Sequence, residues 1–219
     1  MSRPTKRAIV DAVMARHGRT YAEELGIPVH RDTPSALFRL VCAALLFSAR
    51  IRASVAVAAA DALKERGWTS ARKMAAATWE DRTRVLNRSG YARYDERTST
   101  MLGQTADLLI DRWGGDLRRL RAEADREPRR ERALLKECPG IGDVGVDIFF
   151  REVQVAWDEL FPFADERALG AAKRLGLGAT AGALAKLVDR GQFARLVAAL
   201  VRVELEKDYE AVLAEASGG

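Results

Sequence analysis

Apolar residues recur along most of this chain at the three- and four-residue spacing of helices, and the two-residue alternation of a half-buried strand is almost absent. The densest run, 35–48, is apolar at nearly every position and predicts a helix buried on most sides; Thr33-Pro34 before it supplies an N-cap and a first-turn proline. A second helix is predicted over 52–66, rich in Ala and Val and stopped by Gly67. Shorter ones follow at 70–76 and 79–87, with Thr69 and Thr78 as caps. An apolar stripe through Met101, Leu102, Ala106, Leu109 and Ile110 predicts a long amphipathic helix over 95–113, closed by Gly114-Gly115. The charged stretch 118–132, which contains Pro128, reads as a connection. Toward the ends, 5–16, 181–188 and 192–207 carry further helical stripes. The pattern predicts an all-α chain, and 219 residues with 48% hydrophobic content suffice for one large or two modest domains.

Two stretches carry candidate chemistry. The turn Cys138-Pro139-Gly140-Ile141-Gly142 separates two apolar-patterned segments, the first ending near Glu137 and the second running over 143–151. Proline stiffens the entry, and glycines at 140 and 142 permit positive φ and close backbone approach. Consecutive N–H groups at the start of the next helix can then form an anion nest on its positive dipole end. The same residues also build a plain corner between two helices. Downstream, Ala164-Asp165-Glu166-Arg167 opens an apolar-periodic helix. Asp165 there is a good N-cap, and it is equally a carboxylate available for catalysis.

With these residues the chain resembles the helix-hairpin-helix DNA glycosylase superfamily, in its endonuclease III and adenine-glycosylase-like branch. The hairpin 138–142, the helix after it, the loop through Trp157 and Pro162, and Phe163-Ala164-Asp165 follow the family order. A weaker echo lies at Leu45-Leu46-Phe47-Ser48-Ala49-Arg50. The resemblance spans about residues 34–177. It implies two helical domains with a cleft between them: one over 33–147 ending in the hairpin, the other formed by 1–32 and 148–219. It further implies that Pro139, Gly140, Ile141 and Gly142 hold a DNA phosphate, that Arg50 fills the gap left by an extruded base, and that Asp165 supports the charge developing on the sugar. By the same resemblance, the hairpin carbonyls bind a monovalent cation.

Three departures narrow the chemistry. The family's Schiff-base lysine falls at Val144, and an isopropyl group cannot act as an amine nucleophile. Lys136 and Lys173 remain as amines elsewhere. Arg50 replaces the usual glutamine, which changes what is offered to the opposite base. The four-cysteine loop is missing: Cys42 and Cys138 alone cannot hold an iron–sulfur cluster, so no cofactor is expected. The implied activity is a monofunctional glycosylase that hydrolyses the N-glycosidic bond of a damaged or mispaired base. The alternative on the same fold is a non-catalytic DNA-binding paralogue.

Asn87-Arg88-Ser89-Gly90-Tyr91-Ala92-Arg93-Tyr94 reads either as a second wedge loop, with Tyr91 stacking on a base and Arg93 gripping phosphate, or as an ordinary helix connection. Arg52, beside Arg50, is a further candidate contact. The net charge of +5 suits a polyanionic partner, here double-stranded DNA, without demanding one. His17 and His30 stand apart at no metal-ligand spacing. The first residues lack a secretory pattern and no apolar run is long enough to span a bilayer, which leads to the expectation of a bacterial-type cytoplasmic protein; it is separately expected to be a monomer.

Overall fold

The computed structural model describes residues 4–218. Met1–Arg3, on which part of the leader reading rests, lie outside the described residues, as does Gly219. The described residues form α-helices, short 3-10 or π turns and loops, with no strand. In chain order the helices are α1 (Lys6–His17), α2 (Tyr21–Glu24), α3 (Pro34–Phe47), α4 (Ala53–Glu65), α5 (Ala71–Ala75), α6 (Trp79–Leu86), α7 (Asp95–Trp113), α8 (Leu117–Glu123), α9 (Pro128–Leu135), α10 (Asp143–Val153), α11 (Glu166–Leu175), α12 (Ala181–Leu184), α13 (Arg190–Glu206) and α14 (Tyr209–Gly218). None of them is long and apolar enough to cross a membrane.

Local signals set most boundaries. Thr33 Oγ1 accepts from the Ala36 N–H at 3.3 Å with Pro34 opening α3, and Thr5 and Thr78 cap α1 and α6 in the same way. Two expectations are corrected. Ser70, not Thr69, caps α5, because Ser70 directly precedes the first helical residue and its extended backbone aims Oγ at the Lys73 N–H. The charged stretch 118–132 is not a loose connection but α8 and α9. Pro128 occupies the first turn of α9, and the Glu127 carboxylate accepts from the N–H groups of Arg129 and Arg130 at 3.1 and 2.8 Å.

The chain divides into two compact units, Leu25–Glu159 and the paired termini Met1–Glu24 with Leu160–Gly219. The boundaries thus fall at 24/25 and 159/160 rather than at 32/33 and 147/148. Trp157 shows why. Its indole N–H donates to Asp32 at 3.0 Å, its ring meets Phe149 edge-on at 5.5 Å, and Arg121 lies over it while forking onto Glu159 at 2.6 Å through two nitrogens. These contacts bind residues 25–32 and 148–159 into the same unit as the hairpin.

In that unit α3 is central, as its unbroken apolar run requires: ten of its fourteen residues are buried, and it packs on α4, α7, α8 and α10. In the terminal unit, α1, α11, α13 and α14 enclose a core that includes Val13, Ala168, Phe193, Val197, Leu200 and Val212. Arg16 and His17 on α1 both reach Asp208 at 2.8 Å, tying α1 to the segment before α14.

Candidate nucleic-acid interface

The hairpin is built by two glycines with different jobs. Gly140 has φ +88°, and a Cβ there would stand 2.6 Å from Met101 Sδ and 3.3 Å from Leu45. Both the left-handed backbone and the close approach of α3 and α7 therefore require glycine. Gly142 corrects the expectation of positive φ at both positions. Its φ is −98°, and a Cβ there would meet nothing within 4 Å. Gly140→Ala is accordingly expected to lower stability by more than about 1 kcal/mol. Gly142→Ala should leave it unchanged within about 1 kcal/mol, with thermal melting of the two variants as the check.

Gly142 is also the N-cap of α10, and it offers no side chain to accept from the first turn. The first i→i−4 bond runs from Val146 N–H to Gly142 C=O at 3.0 Å, so the N–H groups at 142–145 precede the helical ladder. Ile141 is buried, and its N–H bonds to Cys138 C=O at 2.9 Å. Its side chain is thus an anchor for the turn rather than a surface contact. Pro139 C=O accepts the Thr105 hydroxyl at 3.0 Å. The Cys138 and Pro139 carbonyls each accept one bond here, so each has a second lone pair, the kind of donor a monovalent cation takes.

Ion pairs staple the two hairpin helices. Lys136 Nζ lies 2.9 and 3.0 Å from the two Asp143 oxygens, and Arg132 bridges Asp147 at 2.5 Å and Asp143 at 3.7 Å. Lys136, one of the two spare amines in the sequence, is therefore engaged with a carboxylate whose pKa it holds below the usual range. Lys173 sits exposed in the last turn of α11, in the other unit. Val144 itself is 54% exposed in the first turn of α10.

Within the Leu25–Glu159 unit, a concavity of about 230 Å³ draws together three of the segments singled out in the sequence. Ser48 and Ala49 come from the turn after α3, Tyr91 and Tyr94 from the segment before α7, and Gly140 from the hairpin. Arg50, Arg52, Arg88, Arg93 and Arg97 on these segments are exposed, and none is in an ion pair among the described residues. Some arginines elsewhere in the unit, such as Arg112, Arg121 and Arg132, are neutralised by carboxylates, whereas others, such as Arg66, Arg72, Arg119 and Arg129, are exposed and likewise in no ion pair among the described residues.

The helix starts divide in the same way. In this unit α3, α5, α6, α8 and α9 each have a side-chain cap. The N-cap residues of α4, α7 and α10, which are Arg52, Tyr94 and Gly142, make no such bond. Tyr94 lines the concavity, Gly142 lies two residues from lining Gly140, and Val55 in the first turn of α4 packs 3.9 Å from the Cβ position of Gly90.

Tyr91 is a correction. Its ring is 1% exposed and its hydroxyl donates to Leu46 C=O at 2.8 Å, with burial pushing the phenol pKa up to about 12. It walls the concavity and cannot serve as a free wedge. The π turn over Asn87–Tyr91, with Gly90 at φ +88°, folds the ring inward against α3. Tyr94, half-buried with Arg93 over its ring at 5.4 Å, is the more accessible aromatic that the sequence reading passed over.

No family model matches the chain, and no curated protein matches it significantly. A solved structure does: "Structure of a Trapped Endonuclease III-DNA Covalent Intermediate: Estranged-Adenine Complex", 17% identical, covering 91% of this chain and 85% of that one with a TM-score of 0.50. The chain has the endonuclease III fold. At this identity the likeness is one of fold.

On this endonuclease III fold Asp165 belongs to the terminal unit, at the head of α11. It is 8% exposed, and its Oδ1 accepts from the Ala168 N–H at 2.8 Å, a capping bond. The two cysteines are buried and unbridged, and burial pushes the Cys138 thiol up to about 12 and the Cys42 thiol higher, which removes both from thiolate chemistry near neutral pH. Among the described residues no three His, Cys, Asp or Glu side chains gather where a metal ion could be held.

Proposed function

We propose that this chain is a monofunctional DNA base-excision glycosylase, which binds duplex DNA and hydrolyses the N-glycosidic bond of a damaged or mispaired base. The observation that carries the reading is the shared location of uncapped helix starts and unpaired arginines. Unsatisfied N–H groups at α10, with the positive dipole ends of α4 and α7 nearby, favour anions. Arg50, Arg52, Arg93 and Arg97 beside them have no acidic partner among the described residues. A phosphate backbone supplies such a partner. Gly142 leaves room for that backbone, so Gly142→Ala should weaken duplex binding about tenfold while the fold melts normally.

In this reading Asp165 stabilises the positive charge that grows on the deoxyribose as the base departs, and it orients the attacking water. Val144 presents hydrocarbon where a covalent mechanism needs an amine, and Lys136 is engaged with Asp143. The expected products are a free base and an abasic strand that breaks only after alkali, with no complex trapped by borohydride. Duplexes carrying oxidised, alkylated, deaminated and mispaired bases provide the test. Strand breakage without alkali would contradict the monofunctional assignment and direct attention to the lysines.

The near-complete burial of Asp165 and its capping bond favour a second reading, a non-catalytic DNA-binding protein on this fold. Salt-sensitive duplex binding with no base released from any substrate of the panel would select it.

A further inference from the structure

The phosphate site proposed at the head of α10 already holds an anion of the protein's own. Asp143 is the first residue of that helix, and its N–H is one of those at 142–145 that precede the helical ladder. Its carboxylate is 68% exposed, and its two oxygens take the Lys136 ammonium at 2.9 and 3.0 Å. Lys136 has no other partner among the described residues. Arg132 is the second cation at this carboxylate, 3.7 Å away, but it is anchored elsewhere, on Asp147 at 2.5 Å and over the Phe150 ring at 5.2 Å. Resting on the DNA-binding reading above, we propose that Asp143 is an internal latch, which occupies Lys136 in the free protein and gives it up to a DNA phosphate, so that the hairpin grips duplex only when the carboxylate is displaced.

The contact is built to be exchanged. An ion pair between side chains this exposed is held weakly, because water screens both partners and the long lysine stem loses entropy by staying in place. A phosphate docking on the α10 amides competes with Asp143 for the positive end of the helix as well as for the ammonium, and the two anions repel each other. Lysine suits the transfer. Its ammonium is a point charge on a flexible stem and can swing between acceptors without the register that a guanidinium fork requires, whereas Arg132 stays fixed on Asp147. On a phosphate Lys136 remains a charged ammonium, which keeps it out of amine chemistry. Asp143 therefore opposes binding in two ways: it repels the phosphate, and it neutralises a cation that the phosphate needs. An aspartate that merely repelled DNA would show the first effect alone.

The test measures binding of the full chain to a fully paired duplex over a range of salt. Asp143→Asn should tighten binding about tenfold at low salt and steepen the log–log salt slope by about 0.9. In a Lys136→Gln background the gain from Asp143→Asn should shrink to about threefold, because no lysine remains to be released. Both side chains are exposed, so these variants fold. A second readout follows the Asp143 carboxyl carbon by NMR. The charges facing this group are Lys136 and Arg132 from α9 and Asp147 one turn along α10, and Lys136, first by its hydrogen bond and then by its charge, holds the carboxyl below its usual pKa. Transfer of the lysine to a phosphate should move that titration midpoint up when duplex is added. Unchanged or weaker binding by Asp143→Asn, an equal gain in both backgrounds, or a midpoint unmoved by bound duplex would overturn the latch while leaving the DNA-binding reading intact. Lack of salt-sensitive binding by wild type and by Asp143→Asn alike would overturn both.

Discussion

Asp165→Asn is expected to lower base release by about two to three orders of magnitude while thermal melting and duplex binding stay close to wild type. The substitution separates the two roles that converge on this side chain. Asparagine caps a helix about as well as aspartate, so the bond from the Ala168 N–H at 2.8 Å survives. What disappears is the negative charge, and only that charge can stabilise a sugar turning cationic as its base departs. Asp165→Ala removes both and should cost about 1 kcal/mol of stability in addition. Base release undiminished in the asparagine variant would take Asp165 out of the chemistry and leave it as a cap. The experiment requires a substrate first, so it follows the lesion panel.

Stability should fall markedly as the pH rises from about 5 to about 8, and Glu131 is the cause. This α9 residue is 0% exposed, its carboxyl group faces the Glu159 carboxylate, to which only its protonated form can donate a hydrogen bond, and the other charged groups around it are Arg121 and Glu127. Burial first, and then the neighbouring Glu159 carboxylate, raises its pKa to about 8, so the folded protein holds this proton more tightly than the unfolded chain does. The stability contributed by neutral Glu131 is fully present below the unfolded value near 4.5 and is lost as the pH rises through about 8. Glu159, forked by Arg121, keeps its pKa below the usual range and contributes in the opposite sense, at more acid pH. A shift of this size corresponds to several kcal/mol across the window. Glu131→Gln, which keeps the shape without the proton, should flatten the alkaline limb of the denaturant-unfolding profile. An unchanged limb would place the titrating group elsewhere. Because α9 leads directly into the hairpin, the same variant is expected to preserve DNA binding at alkaline pH better than wild type.

Much of this architecture was legible in the residues because it depends on local chemistry. The α3 helix follows from one uninterrupted apolar run behind Thr33-Pro34, and α7 from its stripe and Gly114, whose φ of +65° ends it. These signals act over one or two helical turns, so a linear reading captures them. The same holds for the hairpin: Gly140 is required by its own backbone angle, and the cap at Asp165 by its own position ahead of α11.

Three-dimensional packing decided the rest. The direction in which Tyr91 points depends on a carbonyl forty-five residues away, at Leu46, and no local pattern encodes that pairing. The unit boundaries moved because Trp157 found Asp32, 125 residues away, while its ring stayed against nearby Phe149. Which arginines stay free was likewise undetermined, since all carry the same charge in the sequence and only the placement of acidic partners distinguishes Arg97 from Arg121. The sequence by itself determined helices with a strong local signal, such as α3, α4 and α7, together with the hairpin and the missing amine at Val144, all properties of neighbours along the chain, whereas α8 and α9 were hidden in a stretch whose charges masked its apolar stripe. The concavity, its free cations and the proton on Glu131 arise from residues far apart in sequence that share one dry or crowded volume, and tertiary structure alone brings them together.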